Sequence, residues 1–399
     1  MLLPTADQRL SREELTRRHE NVRSEMSRQG LDALLISGTG MMTQRGHLRY
    51  MTNWCQPLFE EYFYFPVQGD PLYFSRYVNR ANVQSKILGL KTIHPEFGIG
   101  LKESSEKDQG KATATIPGSM VASFIRKQSI KRLGLCGPEA MSASFYIEFM
   151  ENLKGHPIQV EISSDLLSQQ RMIKSAEEQV WLRCAGVVAD VGFDVFRGVA
   201  AVGRREFEVF SEVEHAQRLA GAECTFYTMA AGHEPFQKYH DMAYETYAAG
   251  DLVFFNTEAA GPGGYFTQLA RTLTFGEPSD EIKKAYDDLL DVFDAGIDKL
   301  RPGNKTSDVY HAIVDTAAHR GYKLSQHPGH SQGLDIFEPP LISAHDMTVL
   351  QSGMMIVLHP RLRTASGRQV WIGESFLITD KDCERLHKSS RDLVVLPTN

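Results

Sequence analysis

The stretch from Gly250 to Gly276 constrains the fold of this chain more than any other segment does. It opens with an unbroken apolar run at 252–255, which is typical of a strand buried on both faces. The sequence Gly-Pro-Gly-Gly at 261–264 then predicts a hairpin or bulged turn. A second strand-like segment runs from 265 to 275, so we expect two adjacent strands joined by that turn.

Three polar side chains interrupt this pair of strands. Asn256 and Glu258 belong to the first strand and Gln268 to the second, so the pairing brings the three near one another. A carboxylate on a buried strand is costly unless it is paired, which favours a functional role for Glu258. The alternative is an ion pair between Glu258 and Arg271 that only stabilises the hairpin.

The composition narrows the class of protein. A length of 399 residues suffices for two domains, and 42% hydrophobic with 23% charged residues is typical of a soluble globular protein. A net charge of −7 argues against nucleic acid as the main partner, and no apolar run is long enough to span a bilayer. The N-terminus lacks the apolar core of a signal peptide, and the five cysteines form no CxxC pair. We therefore expect reduced thiols and a cytoplasmic location.

The order of segment types predicts two domains. Residues 1–165 alternate helical and strand-like segments, beginning with an amphipathic helix at 12–29, and predict a smaller α/β domain. A long helical pattern covers 171–203, and further helical segments flank the strand pair. The second domain is therefore predicted to span 171–399.

The strand pair resembles that of the pita-bread family, which includes methionine aminopeptidase, aminopeptidase P, prolidase and creatinase. The peptidases of this family carry D-x-G or D-x-D on the first strand and G-Y-x-S-D-x-T-R-T on the second. The corresponding sequences here are N-T-E at 256–258 and G-Y-F-T-Q-L-A-R-T at 264–272. The segment R-M-I-K-S-A-E-E at 171–178 is similar to the linker helix of prolidase-like proteins. The resemblance implies an α+β, creatinase-like chain with a C-terminal pita-bread domain and a smaller N-terminal α/β domain.

The resemblance also identifies the positions at which the peptidases bind two metal ions. Their two aspartates correspond to Asn256 and Gln268, and their histidine is retained as His330 in the turn G-H-S-Q-G. Their two glutamates correspond to His359 and Gly373. A dinuclear site needs several carboxylate ligands, so we predict no metal centre and no other cofactor.

A single metal ion remains an alternative to this prediction. His330 and His359, together with Glu258 or Glu374, form a set of two histidines and a carboxylate that suits Zn²⁺ or Fe²⁺.

Metal-free members of the family match several of the remaining motifs. Creatinase resembles this chain in its second strand, G-Y-Y-T-A-L-E-R-T, and in its histidine turn, G-H-S-x-G. The acid/base histidine of creatinase lies about ten residues before the first strand, which is the position of His240 in this chain. His233, which is nearby, is the other candidate for this role. Ectoine hydrolase carries a nucleophilic Glu in E-x-A-G, which corresponds to Glu258, whereas the catalytic Glu of creatinase corresponds to Ala270. The resemblance implies that Glu258, His240 and His330 are catalytic.

The N-terminal region carries one more creatinase-like pattern. The sequence R-Y-M-T-N-W at 49–54 precedes Phe59 and Glu61, at the offsets where creatinase has a Phe and an Arg that complete the partner subunit's pocket. The resemblance therefore implies a homodimer, and an acidic Glu61 favours a cationic or zwitterionic substrate, unless it belongs to a solvated loop. The substrate-binding residues that the resemblance implies are Phe59, Glu61, Asn256, Tyr265, Gln268, His359, Trp371 and Glu374.

These observations together predict a metal-independent hydrolase that cleaves a C–N bond in a small nitrogenous metabolite. An amidine, a guanidino compound or a cyclic amide would be the substrate, with no nucleic-acid or membrane partner. Three alternatives stay open: a lyase similar to the dimethylsulfoniopropionate lyase of this fold, a metal-dependent Xaa-Pro dipeptidase, and a non-enzymatic binding module.

Overall fold

A computed structural model describes this chain over residues 10–54, 59–74, 116–232, 245–324 and 327–398. These residues belong to two compact units, one comprising Leu10–Arg171 and the other beginning at Met172. No helix in these ranges is long and apolar enough to cross a membrane.

The described residues of the N-terminal unit form a five-stranded sheet. Its strands are β1 (Ala33–Gly38), β2 (Glu61–Pro66), β3 (Leu72–Phe74), β4 (Arg132–Cys136) and β5 (Gln159–Ile162). The spatial order is β3-β2-β1-β4-β5, in which β1, β4 and β5 are parallel and β2 and β3 pair antiparallel at one side. Its helices are α1 (Arg12–Gln29), α2 (Gly46–Thr52), α3 (Gly118–Ile125), α4 (Ala143–Leu153) and α5 (Ser164–Met172). Parallel strands need helical crossovers, which explains the alternation of patterns in this part of the sequence.

The two N-terminal residues that were predicted to bind substrate have different environments. Glu61 is the first residue of β2 and is fully buried, and the Tyr73 hydroxyl donates to its carboxylate at 2.5 Å. Phe59 is half-buried. Glu61 is thus not part of a solvated loop, because it belongs to a strand and its side chain is fully buried. The predicted homodimer stays a prediction.

In its described residues, the second unit contains two further five-stranded sheets, one two-stranded hairpin and four α-helices. Its helices are α6 (Ala176–Val199), α7 (Glu206–Leu219), α8 (Asp280–Ile297) and α9 (Thr306–His319). One sheet consists of β6 (Cys224–Tyr227), β7 (Ala230–Gly232), β8 (Leu252–Ala260), β9 (Phe266–Phe275) and the last strand of the chain, β17 (Val394–Leu396). The other consists of β10 (Gly329–Ser331), β11 (Glu338–Leu341), β12 (Met355–Leu358), β15 (Glu374–Ile378) and β16 (Cys383–Arg385), and a separate hairpin is formed by β13 (Arg361–Arg363) and β14 (Gln369–Trp371).

Strands β8 and β9 confirm the predicted pair. They are antiparallel from Leu252 opposite Thr274 to Ala260 opposite Phe266, and this register places Glu258 directly opposite Gln268. Residues directly opposite in an antiparallel pair point to the same face, with Cβ atoms about 4.5–5.5 Å apart. The two polar side chains are therefore neighbours.

The apolar run at the start of β8 serves two separate cores. The Phe255 ring lies 5.2 Å from that of Phe193 and 5.0 Å from that of Phe196, both on α6. The Phe254 ring faces the opposite side, with its centroid 6.0 Å from the Trp371 ring. Each aromatic side chain buried in this way contributes roughly 1.5–3 kcal/mol of hydrophobic stabilisation. A strand covered on both faces needs no polar alternation, which is why the sequence shows none here.

The turn between β8 and β9 depends on a glycine. Gly263 has φ 82°, and a Cβ atom on it would lie 2.7 Å from the Trp181 ring of α6. A side chain at this position would be strained by its backbone and would collide with the indole. The Gly-Pro-Gly-Gly sequence therefore lets the hairpin and α6 approach closely.

Backbone contacts join β9 to the second sheet. Ala270 and Gly373 exchange two hydrogen bonds, of 2.9 and 3.0 Å, and the Phe266 N–H donates to the Gly333 carbonyl at 2.8 Å. The Gln268 N–H donates to the Ser375 hydroxyl at 2.9 Å. These contacts bring the polar residues of β8 and β9 beside the histidine turn that precedes β11.

Candidate active site

Glu258 lies at the junction of the two sheets. It is 5% exposed, and its Oε2 accepts from the Gln332 amide at 2.5 Å while its Oε1 lies 3.5 Å from the Asn256 amide nitrogen. Burial raises the pKa of Glu258 to about 7, although the hydrogen bonds from Asn256 and Gln332 favour the ionised form. A carboxyl group with this pKa gains and loses a proton near neutral pH, as an acid/base catalyst requires.

Two further hydrogen bonds extend this cluster along β8 and β9. The Gln268 amide nitrogen donates to Asn256 Oδ1 at 3.0 Å, and the Asn256 amide nitrogen donates to the Thr228 hydroxyl at 2.7 Å. Gln268, Asn256, Glu258 and Gln332 thus form one buried series of hydrogen-bonded side chains, which we call the amide network. It unites three residues predicted from the sequence with Gln332.

Three histidines form a second cluster next to the amide network. The ring centroids of His330 and His359 are 5.2 Å apart, and that of His327 lies 6.1 Å from the first and 5.4 Å from the second. The Nδ1 atom of His330 lies 2.9 Å from the Ser331 carbonyl oxygen. A carbonyl only accepts, so the neutral ring carries its proton on Nδ1 and presents Nε2 as an acceptor.

Burial keeps these imidazoles neutral. It lowers the pKa of His330 to about 4, with a further contribution from the neighbouring His327 and an opposing one from the bond to Ser331. Burial also holds the pKa of His359 well below its usual value, and the two neighbouring histidines add to the effect. Both rings therefore act at neutral pH as uncharged hydrogen-bonding groups.

The low pKa of His330 makes a prediction about acid stability. The pKa of His330 in the folded protein lies below the unfolded value of 6.5. The contribution of the neutral His330 to the stability of the fold is therefore fully present above pH 6.5 and is lost as the pH falls toward 4. Within that window the loss reaches at most about 1.4 kcal/mol per pH unit. We expect His330→Asn to remove this term, so that urea-unfolding free energies fall less steeply with acidification than in the wild type.

The control for this prediction is His345→Asn, which changes an exposed histidine in a loop of the same unit. A His330→Asn profile that keeps the wild-type slope between pH 6.5 and 4 would contradict the assignment of a neutral, buried His330.

Two predicted substrate-binding aromatics have structural partners. The Tyr265 hydroxyl donates to Glu178 at 2.7 Å and so ties β9 to the first turn of α6. Trp371 is buried, and its indole N–H donates to the His359 carbonyl at 3.3 Å. Trp371 therefore positions the backbone of His359, and its ring packs on Phe254.

Glu374 lies in an ion-pair cluster outside the amide network. Its carboxylate is fully buried, accepts from Arg271, and accepts from Arg385 at 2.5 and 2.6 Å. Burial alone would raise the pKa of Glu374, but the charges of the two guanidinium groups hold it below its usual value. The prediction of a substrate-binding Glu374 therefore lacks structural support, because both oxygens are engaged by arginines. Arg271 pairs with this glutamate, so the alternative pairing of Glu258 with Arg271 is wrong.

His240 and its rival His233 lie outside the described residues. Their predicted roles therefore stay predictions.

Gln332 and His327 were missed by the sequence interpretation. Gln332 occupies the variable position of the G-H-S-Q-G turn, two residues after His330. Alternate side chains of an extended segment point to the same face, so this spacing would have placed Gln332 and His330 on one face of the segment. His327 lies three residues before His330 in the segment that leads into β10.

The side chains at the five metal-binding positions of the pita-bread peptidases do not fit a dinuclear centre. The set comprises two amides, two imidazoles and Gly373, with no carboxylate to bridge two ions. A Cβ atom on Gly373 would lie 3.1 Å from the His359 Cβ and 3.0 Å from the Ala270 Cβ, so the histidine fills the space beside it. In the described part of the chain, no group of three His, Cys, Asp or Glu side chains is arranged to hold a metal ion.

Family models cover most of this sequence. The model of metallopeptidase family M24 matches residues 181–380, which is half of the chain, and the creatinase/prolidase N-terminal domain matches residues 18–173. The chain belongs to metallopeptidase family M24. The predicted creatinase-like two-domain pita-bread fold is thereby confirmed, and the protein is a member of a family of hydrolases.

Individual relatives of this M24 protein are named as peptidases. An uncharacterised peptidase, YqhT, of Bacillus subtilis is 25% identical over 94% of this chain and 99% of its own length. The Xaa-Pro dipeptidase of Pyrococcus horikoshii is 27% identical over 67% of this chain and 76% of its own length. The solved structure of an Xaa-Pro dipeptidase from Bacillus anthracis superimposes with a TM-score of 0.80 at 23% identity, covering 96% of this chain and 100% of that one. At that identity the superposition shows the shared fold.

The comparisons correct two predictions. The expected closeness to creatinase and ectoine hydrolase is not supported, because the similar sequences and structures are named as Xaa-Pro dipeptidases and prolidases. The predicted metal-independent hydrolase of a non-peptide C–N bond is wrong for the same reason, and the dipeptidase alternative is better supported. The chain differs from the peptidases at the metal-binding positions, whereas its similarity to them extends along almost its whole length.

Proposed function

We propose that this M24 protein hydrolyses the amide bond of a dipeptide, and that Xaa-Pro dipeptides are the first substrates to test. The observation that carries the proposal is the buried Glu258 carboxyl, which has a pKa of about 7 and lies at the junction where the family has its active site. The names of the relatives supply the substrate class.

The role of Glu258 follows from its chemistry. As a carboxylate it removes a proton from a water molecule, whose oxygen attacks the scissile carbonyl carbon. The C–N bond then breaks, and Glu258 returns the proton to the departing nitrogen, so that acid and amine are formed and the carboxylate is regenerated. Gln332 holds one carboxylate oxygen at 2.5 Å and so fixes the orientation of the group during both transfers.

The histidine cluster contributes uncharged polar groups to the same site. His330 presents Nε2 as an acceptor because its Nδ1 proton is committed to Ser331. An acceptor of this kind orients a water molecule or a substrate N–H without competing with Glu258 for the proton at neutral pH. No step is assigned to a metal ion, because the residues at the family's metal positions do not fit a dinuclear centre.

The test is a panel of dipeptides assayed for release of the C-terminal amino acid. Ala-Pro and Leu-Pro are compared with Ala-Ala and Leu-Leu, using protein stripped with EDTA and the same protein with added Mn²⁺ or Co²⁺. We expect release of proline from the Xaa-Pro pair in preference to the matched controls. Failure to cleave any of the four dipeptides under all conditions, by protein whose circular dichroism shows it folded, would refute the proposal.

A further inference from the structure

Lys174 and Glu338 form a buried ion pair in the second unit. Lys174 lies in the segment that leads into α6, and Glu338 is the first residue of β11. The Lys174 Nζ atom lies 3.1 Å from Glu338 Oε2, and the two side chains are only 1% and 4% exposed. Because two charges removed from water gain little net stability from each other, a contribution to stability does not by itself explain this pair.

The Glu338 carboxylate packs against the backbone of the connecting turn, the residues 332–337 that join β10 to β11. Its Oε1 atom accepts from the Asp335 N–H at 3.1 Å, while Oε2 faces Lys174. A Cβ atom on Gly333 would lie 2.6 Å from both carboxylate oxygens, so the absence of a side chain there lets the carboxylate approach. The carboxylate is therefore fixed against the turn at two of its residues.

Lys174 is itself anchored through its backbone. Its N–H donates to the Gly353 carbonyl at 2.9 Å, and its own carbonyl accepts from the Gln179 amide at 3.0 Å. Gly353 has φ 88°, and a Cβ atom on it would lie 2.9 Å from the Lys174 carbonyl oxygen. The ammonium group thus projects from a fixed point of the backbone, and the ion pair joins that point to the connecting turn.

The connecting turn contacts the candidate active site at both of its ends. Its first residue, Gln332, donates to Glu258 at 2.5 Å. Its last residue, Phe337, places its ring centroid 4.1 Å from that of His330. A displacement of the turn would therefore change the hydrogen bond on Glu258 and the packing on His330 together.

We propose that Lys174 and Glu338 are positioning residues, whose ion pair holds the connecting turn where Gln332 bonds to Glu258. Both residues act through the turn and not on the reacting atoms. An error of about 1 Å in the placement of a catalytic group costs on the order of 10²-fold in rate, so an anchor of this kind affects catalysis without contacting the substrate. This inference rests on the proposed function, since Glu258 is the catalytic group that the turn orients.

The first experiment measures kinetics with Ala-Pro for Lys174→Met and Glu338→Gln, each of which leaves one partner of the pair uncompensated. We expect kcat to fall by about 10–100-fold and KM to change by less than about 3-fold, because the pair acts on the orientation of Glu258 and not on affinity. The double variant Lys174→Met with Glu338→Met removes both charges and should recover most of the lost stability in urea unfolding, while kcat stays low. A purely structural pair would instead recover kcat together with stability.

The second experiment needs no hydrolysis. Lys174→Met, Gln332→Leu and the variant with both changes are unfolded in urea. If the ion pair holds Gln332 on Glu258, the two changes disrupt the same contact, so their joint effect on the unfolding equilibrium constant should differ from the product of the single effects by about 3-fold or more.

The matched control uses Val309→Ala, a change in the fully buried core of α9, in place of Lys174→Met. Its effect on the unfolding equilibrium constant should multiply with that of Gln332→Leu, because the two residues act independently. Val309→Ala also lowers stability, and its kcat should stay at the wild-type value.

The outcomes separate the positioning role from the proposed function. If wild-type protein cleaves Ala-Pro and the single variants keep its kcat, or the double variant regains it, the positioning role is refuted while the proposed function stands. Multiplicative effects of Lys174→Met and Gln332→Leu refute the positioning role as well. If wild-type protein cleaves no dipeptide, the proposed function fails and the unfolding data alone decide: non-multiplicative effects support a pair that holds Gln332 on Glu258, and multiplicative effects refute it.

Discussion

Replacing Glu258 by glutamine is expected to lower kcat for dipeptide hydrolysis by about 10²–10⁴-fold, the usual contribution of a general acid/base. The substitution keeps the size of the side chain and removes the carboxylate that takes a proton from water. Steady-state kinetics with Ala-Pro measures kcat and KM for the variant and for the wild type.

The matched control is Glu277→Gln, which changes a side chain that is 80% exposed in the same unit. It should leave kcat and KM at their wild-type values. Unchanged kcat in Glu258→Gln would remove this carboxylate from the mechanism.

The same substitution should stabilise the folded protein at neutral and alkaline pH. The folded-state pKa of Glu258 is raised to about 7 from 4.5, so the folded protein binds the proton more tightly than the unfolded chain does. Stability is then greatest below about pH 4.5 and falls as the pH rises through 7, by a total on the order of 3 kcal/mol. A glutamine side chain does not ionise, so the free energy of unfolding of the Glu258→Gln variant, measured with urea, should not fall in this way as the pH rises.

The activity of the wild-type protein should depend on pH in the opposite direction to its stability. The free enzyme needs an ionised Glu258, so kcat/KM rises with pH through the region of its pKa near 7. A residue that lowers stability in the form in which it catalyses is typical of active sites. A purely structural Glu258 would show the gain of stability without the loss of activity.

The strand pair was predictable because its signals are local. The apolar run, the glycine-rich turn and the second strand follow one another within the stretch 250–276, and the register needs only the turn to be placed correctly. The neighbourhood of Glu258 and Gln268 followed directly from that register. Gln332 was not predicted, because its contact with Glu258 joins residues 74 positions apart through the meeting of two sheets.

Charge environments were harder to predict than strands. Glu61 and Glu374 are both fully buried, and each was interpreted as a substrate contact from its position in a motif. Their partners, Tyr73 for the first and Arg271 and Arg385 for the second, are set by tertiary packing. A sequence motif identifies the residue type at a position, but the role of that residue depends on the side chains that pack against it in the folded protein.

Removing the charge of Glu374 is expected to give the largest loss of stability in the second unit. The Glu374 carboxylate and Arg271 are both fully buried, and Arg385 is half-buried beside them. Breaking a buried ion pair by removing one partner typically costs about 3–5 kcal/mol, because the remaining charge stays desolvated. We therefore expect Glu374→Gln to lower the free energy of unfolding by about that amount, measured by urea denaturation at pH 7.

The double variant Arg271→Met with Glu374→Met is the control for this interpretation. It removes both charges of the fully buried pair, and Arg385 can turn toward solvent, so the double variant should lose less stability than Glu374→Met alone. The KM for Ala-Pro should not change in Glu374→Gln protein that remains folded, because both carboxylate oxygens face arginines. An increase in KM with unchanged stability would instead identify Glu374 as a substrate contact, since a residue that holds only the fold cannot weaken binding without weakening folding.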